Sequence, residues 1–499
     1  MERGWRIYAF LLPELSSALD QPDDPVYRNN PMAIKYDVVI LGCGPGGERA
    51  AILAARTGKK VAVVERAGVV GGTAVNWGTI PSKTLRESAL FVYAHTHQKL
   101  HGIKTEISEE ITVADFMHRE RQVVQRELEL INRALAKNEI DVFYGTGRFL
   151  DKNHVAVTGA GGQTRMVLRG ETIVIATGTS PNHPEDVPFD GECVFDSDTI
   201  LNLPRMPRSM LVLGAGVIGI EYACIFTALG LDVTLMDTRS QLLPYLDREI
   251  VGRLQREMRR LGMMISHDEF YDSIEKVAGS PPVVRCRTKS GTVLEADVLL
   301  YSVGRDGNTK DLGLEDIGIQ PTDRGLLEVN NHYQTPLPHI YAVGDVIGHP
   351  ALASTSMEQG RRAIRHAFDL PGLQKQTEVL PFAIYSIPEV SYIGETEETL
   401  AETGRDVIIG RGLYALNPRA QIIGDGGGML KLLFDADSMR LLGAHVIGTT
   451  ASELIHVGQA FLQTGATATV IAESLYNYPT LSDLYRHAAM EALGQKLRR

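Results

Sequence analysis

The sequence predicts an α/β protein in which one strand–turn–helix–strand unit occurs twice. The first copy begins with the short apolar run 35–41 and the second with the run 209–213. A glycine-rich turn, a helix-like segment, a second strand and an acidic residue follow each run in the same order. Two such units indicate parallel sheets covered by helices.

The first glycine-rich turn has the pattern G-x-G-x-x-G. Its glycines are Gly42, Gly44 and Gly47, and the strand 61–64 that follows leads into Glu65. Glycines at this spacing permit a tight turn, so that backbone N–H groups reach a pyrophosphate at the helix N-terminus. The acid then accepts hydrogen bonds from an adenosine ribose. These residues therefore predict a Rossmann-like dinucleotide site.

The second copy repeats this pattern with Gly214, Gly216, Gly219 and Asp237. The first glycine and the acid are 23 residues apart in both copies, which makes coincidence a poor explanation. The chain is therefore expected to bind two dinucleotides, or one twice. One should be a flavin, because two nicotinamide sites alone would have no electron relay between them.

Residues 35–495 resemble the two-dinucleotide-binding flavoprotein disulfide reductases, which include dihydrolipoamide dehydrogenase and glutathione reductase. Besides the two glycine patterns, the matching segments are 175–178, 304–309, 335–345 and several short motifs near the C-terminus. The resemblance implies bound FAD, NAD(H) and NADP(H) as substrates, and a C-terminal α+β dimerisation domain in a homodimer or higher homo-oligomer. It also implies that Asp345 accepts a hydrogen bond from the flavin ribityl chain and that Arg305 lies near the same cofactor.

The predicted domains follow from the order of these segments. They are an N-terminal extension over 1–32, an FAD-binding domain over 33–185 and 320–375, an NAD(P)-binding domain over 186–319, and an interface domain over 376–499. The apolar stretch in the extension is too short for a secretory signal, and Met32 is a possible true start. The predicted cofactor-binding residues are Gly42, Gly44, Gly47, Glu65, Gly72, Thr73, Lys83, Thr177, Gly178, Gly214, Gly216, Gly219, Glu221, Asp237, Arg239, Gly304, Arg305, Gly344 and Asp345.

The redox centre of the family is altered in this chain. The family pattern G-G-T-C-x-x-x-G-C-I-P-S-K keeps Gly72 and Thr73 here, but Ala74 and Thr79 occupy the two cysteine positions. A disulfide reductase needs both sulfurs, one to take electrons from the flavin and one to exchange with the substrate. Alanine and threonine supply neither function, so the dithiol relay is absent.

The family's C-terminal base is also replaced, because Tyr478 stands where the family has histidine. A phenol with a pKa near 10 is a poor base at neutral pH, and His487 lies off the motif. The hydride-entry pair is retained: Lys83 and Glu221 match the family's lysine and its acidic partner. By resemblance this pair is catalytic and polarises the flavin on the nicotinamide side.

With these substitutions a nicotinamide can reduce the flavin, but the flavin cannot pass electrons to sulfur. The simplest acceptor is a second nicotinamide, so we expect FAD-dependent hydride transfer between NADPH and NAD⁺ in a direction that the sequence does not give. The run 77–83, together with Tyr478, resembles the soluble pyridine nucleotide transhydrogenases of the family. Asp237 should accept from the 2′-OH of NAD, while Arg239 could hold the 2′-phosphate of NADP. The open alternative at this position is plain NAD specificity with Arg239 in solvent.

Composition excludes several other classes of function. The net charge of −11, without a Lys/Arg block, disfavours nucleic acids and anionic membranes as partners. No apolar run approaches the ~18 residues of a membrane span. Four widely spaced cysteines exclude a disulfide framework and a Cys-type zinc site, predict no metal, and favour the cytoplasm.

Three alternative functions remain open from the sequence. The first is a flavin reductase that passes electrons to a quinone or oxygen, and the second is a divergent dihydrolipoamide dehydrogenase homologue. The third is a non-catalytic flavoprotein that binds nicotinamides, which the intact Lys83 and Glu221 disfavour.

Overall fold

The computed structural model describes residues 33–97, 112–159, 161–371 and 379–499. The predicted extension over 1–32, with Met32, lies outside these residues. The strands are β1 (Ile34–Leu41), β2 (Val61–Glu65), β3 (Asp141–Tyr144), β4 (Thr146–Phe149), β5 (His154–Thr158), β6 (Thr164–Ile175), β7 (Thr179–Pro181), β8 (Val194–Phe195), β9 (Ser209–Leu213), β10 (Asp232–Met236), β11 (Met264–Ser266), β12 (Tyr271–Val277), β13 (Val283–Thr288), β14 (Val293–Ala296), β15 (Val298–Tyr301), β16 (Arg305–Gly307), β17 (Ile340–Ala342), β18 (Phe382–Ile384), β19 (Val390–Gly394), β20 (Val407–Leu413), β21 (Met429–Asp435) and β22 (Leu441–Ile447).

Some helices lie between two strands, and others follow one another along the chain. They are α1 (Pro45–Arg56), α2 (Gly72–Asn76), α3 (Thr79–His97), α4 (Val113–Phe116), α5 (His118–Lys137), α6 (Val217–Ala228), α7 (Arg248–Leu261), α8 (Ala353–Ala367), α9 (Glu397–Glu402), α10 (Pro418–Ile423), α11 (Ala451–Thr464), α12 (Ala468–Glu473) and α13 (Leu484–Lys496). Short 3₁₀ helices span Ile200–Asn202, Glu315–Ile317, Gly344–Ile347, Tyr414–Leu416 and Leu481–Asp483.

Contacts divide the chain into two compact units. The first unit contains the described parts of Met1–Asn76, Gln125–Ser180 and Arg305–Gly372. The second contains those of Trp77–Val124, Pro181–Gly304 and Leu373–Arg499. The domain boundaries stated above stay a prediction.

The first unit is built on one mixed sheet with strand order β3-β2-β1-β6-β5-β4, and β17 pairs with β6. Strands β1, β2, β3, β6 and β17 run parallel, whereas β4 and β5 are antiparallel to their neighbours. Residues 38–41 of β1 are buried, as expected for a central parallel strand covered on both faces. Helix α1 packs closely on α8, because a side chain at Gly360 would overlap the carbonyl of Gly46.

The second unit contains a parallel sheet of order β11-β10-β9-β15-β8 and a small antiparallel sheet of β12, β13 and β14. A third, antiparallel sheet has the order β18-β19-β22-β21-β20, and α11 and α13 pack against it. The two repeated units predicted from the sequence are confirmed, with element ends shifted by about one residue. Within the described ranges, no helix is long and apolar enough to cross a membrane.

Candidate active site

The first glycine turn leaves the N-terminus of α1 open to a ligand. Gly42 has φ +98°, and a side chain there would overlap the carbonyl of Ala176. A side chain at Gly47 would likewise overlap the carbonyl of Gly42. Gly44 is the N-cap residue, and no side chain caps the helix. The first backbone N–H groups of α1 are therefore available to an anion such as pyrophosphate.

The segment that contains Gly72 and Thr73 lies against this turn. Gly72 has φ +55°, and a side chain there would come within 2.7 Å of the Gly44 Cα atom. Thr73 follows at the start of α2. The retained part of the family's redox motif thus approaches the predicted pyrophosphate position through backbone alone.

Glu65 is buried and has one hydrogen bond on each carboxylate oxygen. Its Oε2 accepts from the backbone N–H of Cys43 at 2.8 Å, and its Oε1 accepts from that of Ala67 at 2.8 Å. A carboxylate has about four lone-pair positions. Two positions therefore remain for the hydroxyls of an adenosine ribose.

Polar groups that fit a flavin converge at the ends of β6 and β17. Burial raises the pKa of Asp345, although the positive charge of Arg305 and a hydrogen bond with Thr179 oppose this rise. Arg305 is fixed by donating to Thr179, from Nε to the hydroxyl at 3.0 Å and from the guanidinium to the carbonyl at 2.8 Å. Thr177 Oγ1 is a buried oxygen without a hydrogen-bond partner among the described residues. Such an atom fits a site completed by a polar ligand.

Two glycines shape the backbone around these groups. Gly178 has φ +67°, and its carbonyl accepts from the backbone N–H of Asn308 at 3.0 Å. Gly344 has φ +78°, and its N–H donates to the side chain of Gln359 at 2.7 Å. The orphaned Thr177 oxygen, the open α1 terminus and the free Glu65 positions together fit FAD.

The second glycine turn repeats the geometry of the first. Gly214 has φ +97°, and a side chain at Gly219 would overlap the Gly214 carbonyl. Gly216 caps α6 with φ −76° and ψ −176°, nearly the −74° and −176° of Gly44. A side chain at Gly216 would meet nothing within 4 Å, so the turn faces open space. This site fits a nicotinamide dinucleotide.

Asp237 differs from Glu65 in its number of donors. It accepts from the backbone N–H of Ala215 at 2.5 Å and from the backbone N–H of Arg239 at 2.8 Å. The Arg239 side chain adds two bonds, from Nε and from the terminal guanidinium nitrogen, each at 2.8 Å. Burial pushes the pKa of Asp237 upward, but the Arg239 and Ala215 hydrogen bonds and the Arg239 charge bring it below its usual range.

Lys83 and Glu221, the predicted catalytic pair, are in direct contact although they lie 138 residues apart in the sequence. Lys83 Nζ on α3 lies 2.6 Å from Glu221 Oε2 on α6, and donates a longer bond of 3.3 Å to Ser82. The Glu221 side chain is 6% exposed and that of Lys83 is 26% exposed.

Gly304, after β15 in the same unit, has φ +85°, and its carbonyl accepts from the Asn182 N–H at 3.2 Å.

Tyr385, which the sequence analysis did not identify, lies against the Lys83–Glu221 pair. Its backbone N–H donates to Glu221 Oε1 at 2.9 Å, and its ring lies 4.9 Å from Lys83 Nζ. Burial raises the pKa of the Tyr385 phenol, while a hydrogen bond with Ser452 opposes the rise. One residue therefore contacts both members of the pair, through its backbone and through its ring.

A buried arginine ties α3 to the same segment. Arg86, one turn after Lys83, donates from Nε to the Ser386 carbonyl at 3.0 Å. Its terminal nitrogen lies 3.1 Å from Glu389, whose other oxygen accepts from Ser452. No local pattern signals these contacts, because their partners are about 300 residues apart in sequence.

The positions of the missing thiols and base contain no redox group. Ala74 lies on α2, and Thr79 is the exposed first residue of α3. Tyr478 is 75% exposed, and His487 on α13 lies 3.4 Å from Asp483. The cysteines are free and buried: Cys43, Cys193, Cys224 and Cys286.

Comparisons with known proteins agree with this geometry. Residues 36–360 match the family model of the pyridine nucleotide-disulphide oxidoreductases, and residues 380–489 match that of their dimerisation domain. A soluble pyridine nucleotide transhydrogenase from Mycobacterium bovis is 43% identical over 461 residues, 92% of this chain and 98% of the relative. A protein of the same name from Salmonella gallinarum is 39% identical over 468 residues, 93% of this chain and 99% of the relative.

Solved structures show the same architecture. The HOCl-induced flavoprotein disulfide reductase RclA from Escherichia coli has a TM-score of 0.81 and 28% identity, covering 91% of this chain and 99% of its own. LpdA from Mycobacterium tuberculosis has a TM-score of 0.84 and 26% identity, covering 92% of this chain and 99% of its own.

Proposed function

This chain belongs to the pyridine nucleotide-disulphide oxidoreductase family, and from this premise we propose that it is an FAD-dependent transhydrogenase between NADPH and NAD⁺. The family membership and the fold predicted from the sequence are confirmed. One observation carries the choice within the family. The Lys83–Glu221 ion pair is intact, whereas neither position of the redox disulfide contains cysteine.

The first unit supplies the residues that would hold FAD. The N-terminus of α1 would face the pyrophosphate, Glu65 the adenosine ribose, and Thr177 and Asp345 the remaining polar groups of the cofactor. FAD, when bound, can accept a hydride equivalent from one nicotinamide and return it to another.

The Lys83–Glu221 pair is proposed to act at the redox end of the flavin, in the role that the resemblance implies. Glu221 holds the Lys83 side chain in one orientation, because the ion pair is mostly shielded from water. A fixed positive charge stabilises negative charge that develops nearby during hydride transfer. Tyr385 restrains both partners from one side.

Sulfur substrates are excluded from the proposal by chemistry. Ala74 and Thr79 cannot form a disulfide, and the exposed Tyr478 is a poor replacement for an imidazole base. With sulfur acceptors excluded, a second nicotinamide is the simplest acceptor for the electrons of the reduced flavin, and the test below separates it from a quinone or oxygen.

A single nucleotide site in the second unit is proposed to serve both substrates. Asp237 directly follows β10 and is proposed to accept from a 2′-OH, and the nearby Arg239 is proposed to pair with a 2′-phosphate. The presence of both groups is what favours two nicotinamides over one.

The match to the dimerisation domain supports a homo-oligomer, and we propose a homodimer that works in the cytoplasm. The buried, unpaired cysteines fit a reducing compartment. Nicotinamide nucleotides are the proposed partners, without a nucleic acid or a membrane.

The test is an anaerobic mixture of the holoenzyme, NADPH and thio-NAD⁺, whose reduced form has its own absorbance band. We expect steady formation of reduced thio-NAD⁺ and strongly reduced formation with Lys83→Met. If oxygen or a quinone is the only acceptor that supports turnover, the chain is a flavin reductase and the proposal is wrong.

A further inference from the structure

The two acids that end the second strand of each dinucleotide unit can be compared within this one chain. Glu65 and Asp237 each accept a hydrogen bond from the backbone N–H of the residue between the first two glycines of its turn. These residues are Cys43 and Ala215, respectively. Both also accept from the backbone N–H two residues further on, at Ala67 and Arg239. The backbone framework is thus equivalent, and any difference comes from side chains.

That difference is the side chain of Arg239. The alanine at position 67 has no further donor, so Glu65 keeps about two lone-pair positions for a ribose. At Asp237 the Arg239 guanidinium takes both corresponding positions with two bonds of 2.8 Å. A ribose hydroxyl can therefore reach Asp237 only by displacing Arg239.

The exposed fractions of the Asp237 and Arg239 side chains indicate which of the two can move. The Asp237 side chain is 3% exposed and is fixed by two backbone donors, whereas the Arg239 side chain is 45% exposed. The arginine can swing into solvent or towards a new anion, but the carboxylate stays in place.

We propose that Arg239 is an internal competitor at the adenosine ribose position of the nucleotide site in the second unit. NAD(H) enters by displacing Arg239 from Asp237, and NADP(H) enters by drawing Arg239 onto its 2′-phosphate. Both nucleotides open the same ion pair, so neither gains the full affinity of its own contact. This inference rests on the proposed function, since an enzyme that exchanges two nucleotides at one site must release each of them.

The proposed competition predicts a binding result that a simple phosphate contact does not predict. If Arg239 only bound phosphate, its removal would weaken NADP(H) and leave NAD(H) unchanged. If it also occupies Asp237, its removal must tighten NAD(H). An exposed or half-exposed ion pair contributes little, so the expected tightening is about two- to fivefold.

The test uses binding rather than turnover, with 5′-AMP and 2′,5′-ADP (adenosine 2′,5′-bisphosphate) as probes that differ only in the 2′-phosphate. Dissociation constants are measured by calorimetry on the FAD-loaded protein. With Arg239→Ala we expect 5′-AMP to bind about two- to fivefold tighter. We expect 2′,5′-ADP to bind about ten- to a hundredfold weaker, because a charge-assisted contact is lost.

Two further variants complete the design. Arg239→Lys keeps the charge without the two-pronged geometry, so binding of 5′-AMP should still tighten, while 2′,5′-ADP should lose less affinity than with alanine. Arg285→Ala is the matched control, because Arg285 is another partly exposed arginine of this unit that pairs with carboxylates, those of Glu275 and Glu295. It should change neither dissociation constant.

Unchanged 5′-AMP binding in both Arg239 variants would overturn the proposal, and so would weaker binding of both probes. Neither result depends on hydride transfer. A wild-type enzyme without transhydrogenation would refute the proposed function and leave this binding test valid.

Discussion

The substitution Glu221→Gln tests the Lys83–Glu221 ion pair, which we propose acts where a nicotinamide transfers its hydride to the flavin. Glutamine keeps the side-chain volume and an oxygen for the Tyr385 N–H, but it removes the charge 2.6 Å from Lys83 Nζ. Breaking a fully buried pair costs about 3–5 kcal/mol. Because the Lys83 side chain is 26% exposed and keeps its contacts with Ser82 and the Tyr385 ring, the loss should be smaller, about 1–2 kcal/mol.

That loss corresponds to a rate of flavin reduction by NADPH about 5- to 30-fold slower. The assay is anaerobic stopped-flow, which follows the flavin absorbance at saturating NADPH and so separates the rate from the affinity. Lys83→Met should slow the same step, and the double variant should be no slower than the slower single variant, because Glu221 acts through Lys83. A wild-type rate in Glu221→Gln, or additive losses in the double variant, would refute this reasoning.

Three other outcomes are expected. Asp345→Ala should lose FAD more readily on dialysis, because it removes the carboxylate proposed to bind the ribityl chain; unchanged flavin content would contradict that role. The wild-type enzyme should not reduce lipoamide or glutathione disulfide with NADPH, since neither redox position carries sulfur. Lys431→Met should lower the free energy of unfolding by about 3–5 kcal/mol, since it leaves Asp247 buried without its 2.8 Å partner. The exposed pair formed by Arg133 is the control, and Arg133→Ala should change the free energy of unfolding by less than about 0.5 kcal/mol.

Local patterns were sufficient to predict the nucleotide-binding framework. The spacing of Gly42, Gly44 and Gly47 reflects steric requirements that act over a few residues, and the structure has those conformations. The same holds for the second turn, whose helix cap angles repeat those of the first. Sequence periodicity also gave the strand ends at which the two acids lie.

Contacts between distant residues could not be predicted in this way. Lys83 and Glu221 were paired only through the family resemblance, because 138 residues separate them. Tyr385 has no motif that signals its contact with that pair, and it contacts the pair through its backbone N–H as well as through its ring. Arg239 lies two residues after Asp237 in the sequence, but only the side-chain geometry shows that its guanidinium donates to both oxygens of the Asp237 carboxylate.

The most direct test of the central claim is a sequential-mixing experiment without oxygen. The holoenzyme is mixed with one equivalent of NADPH, and NAD⁺ is added after the flavin absorbance has fallen. We expect the absorbance to return with formation of one equivalent of NADH. A flavin that stays bleached until a disulfide, a quinone or oxygen is added would contradict hydride transfer between two nicotinamides.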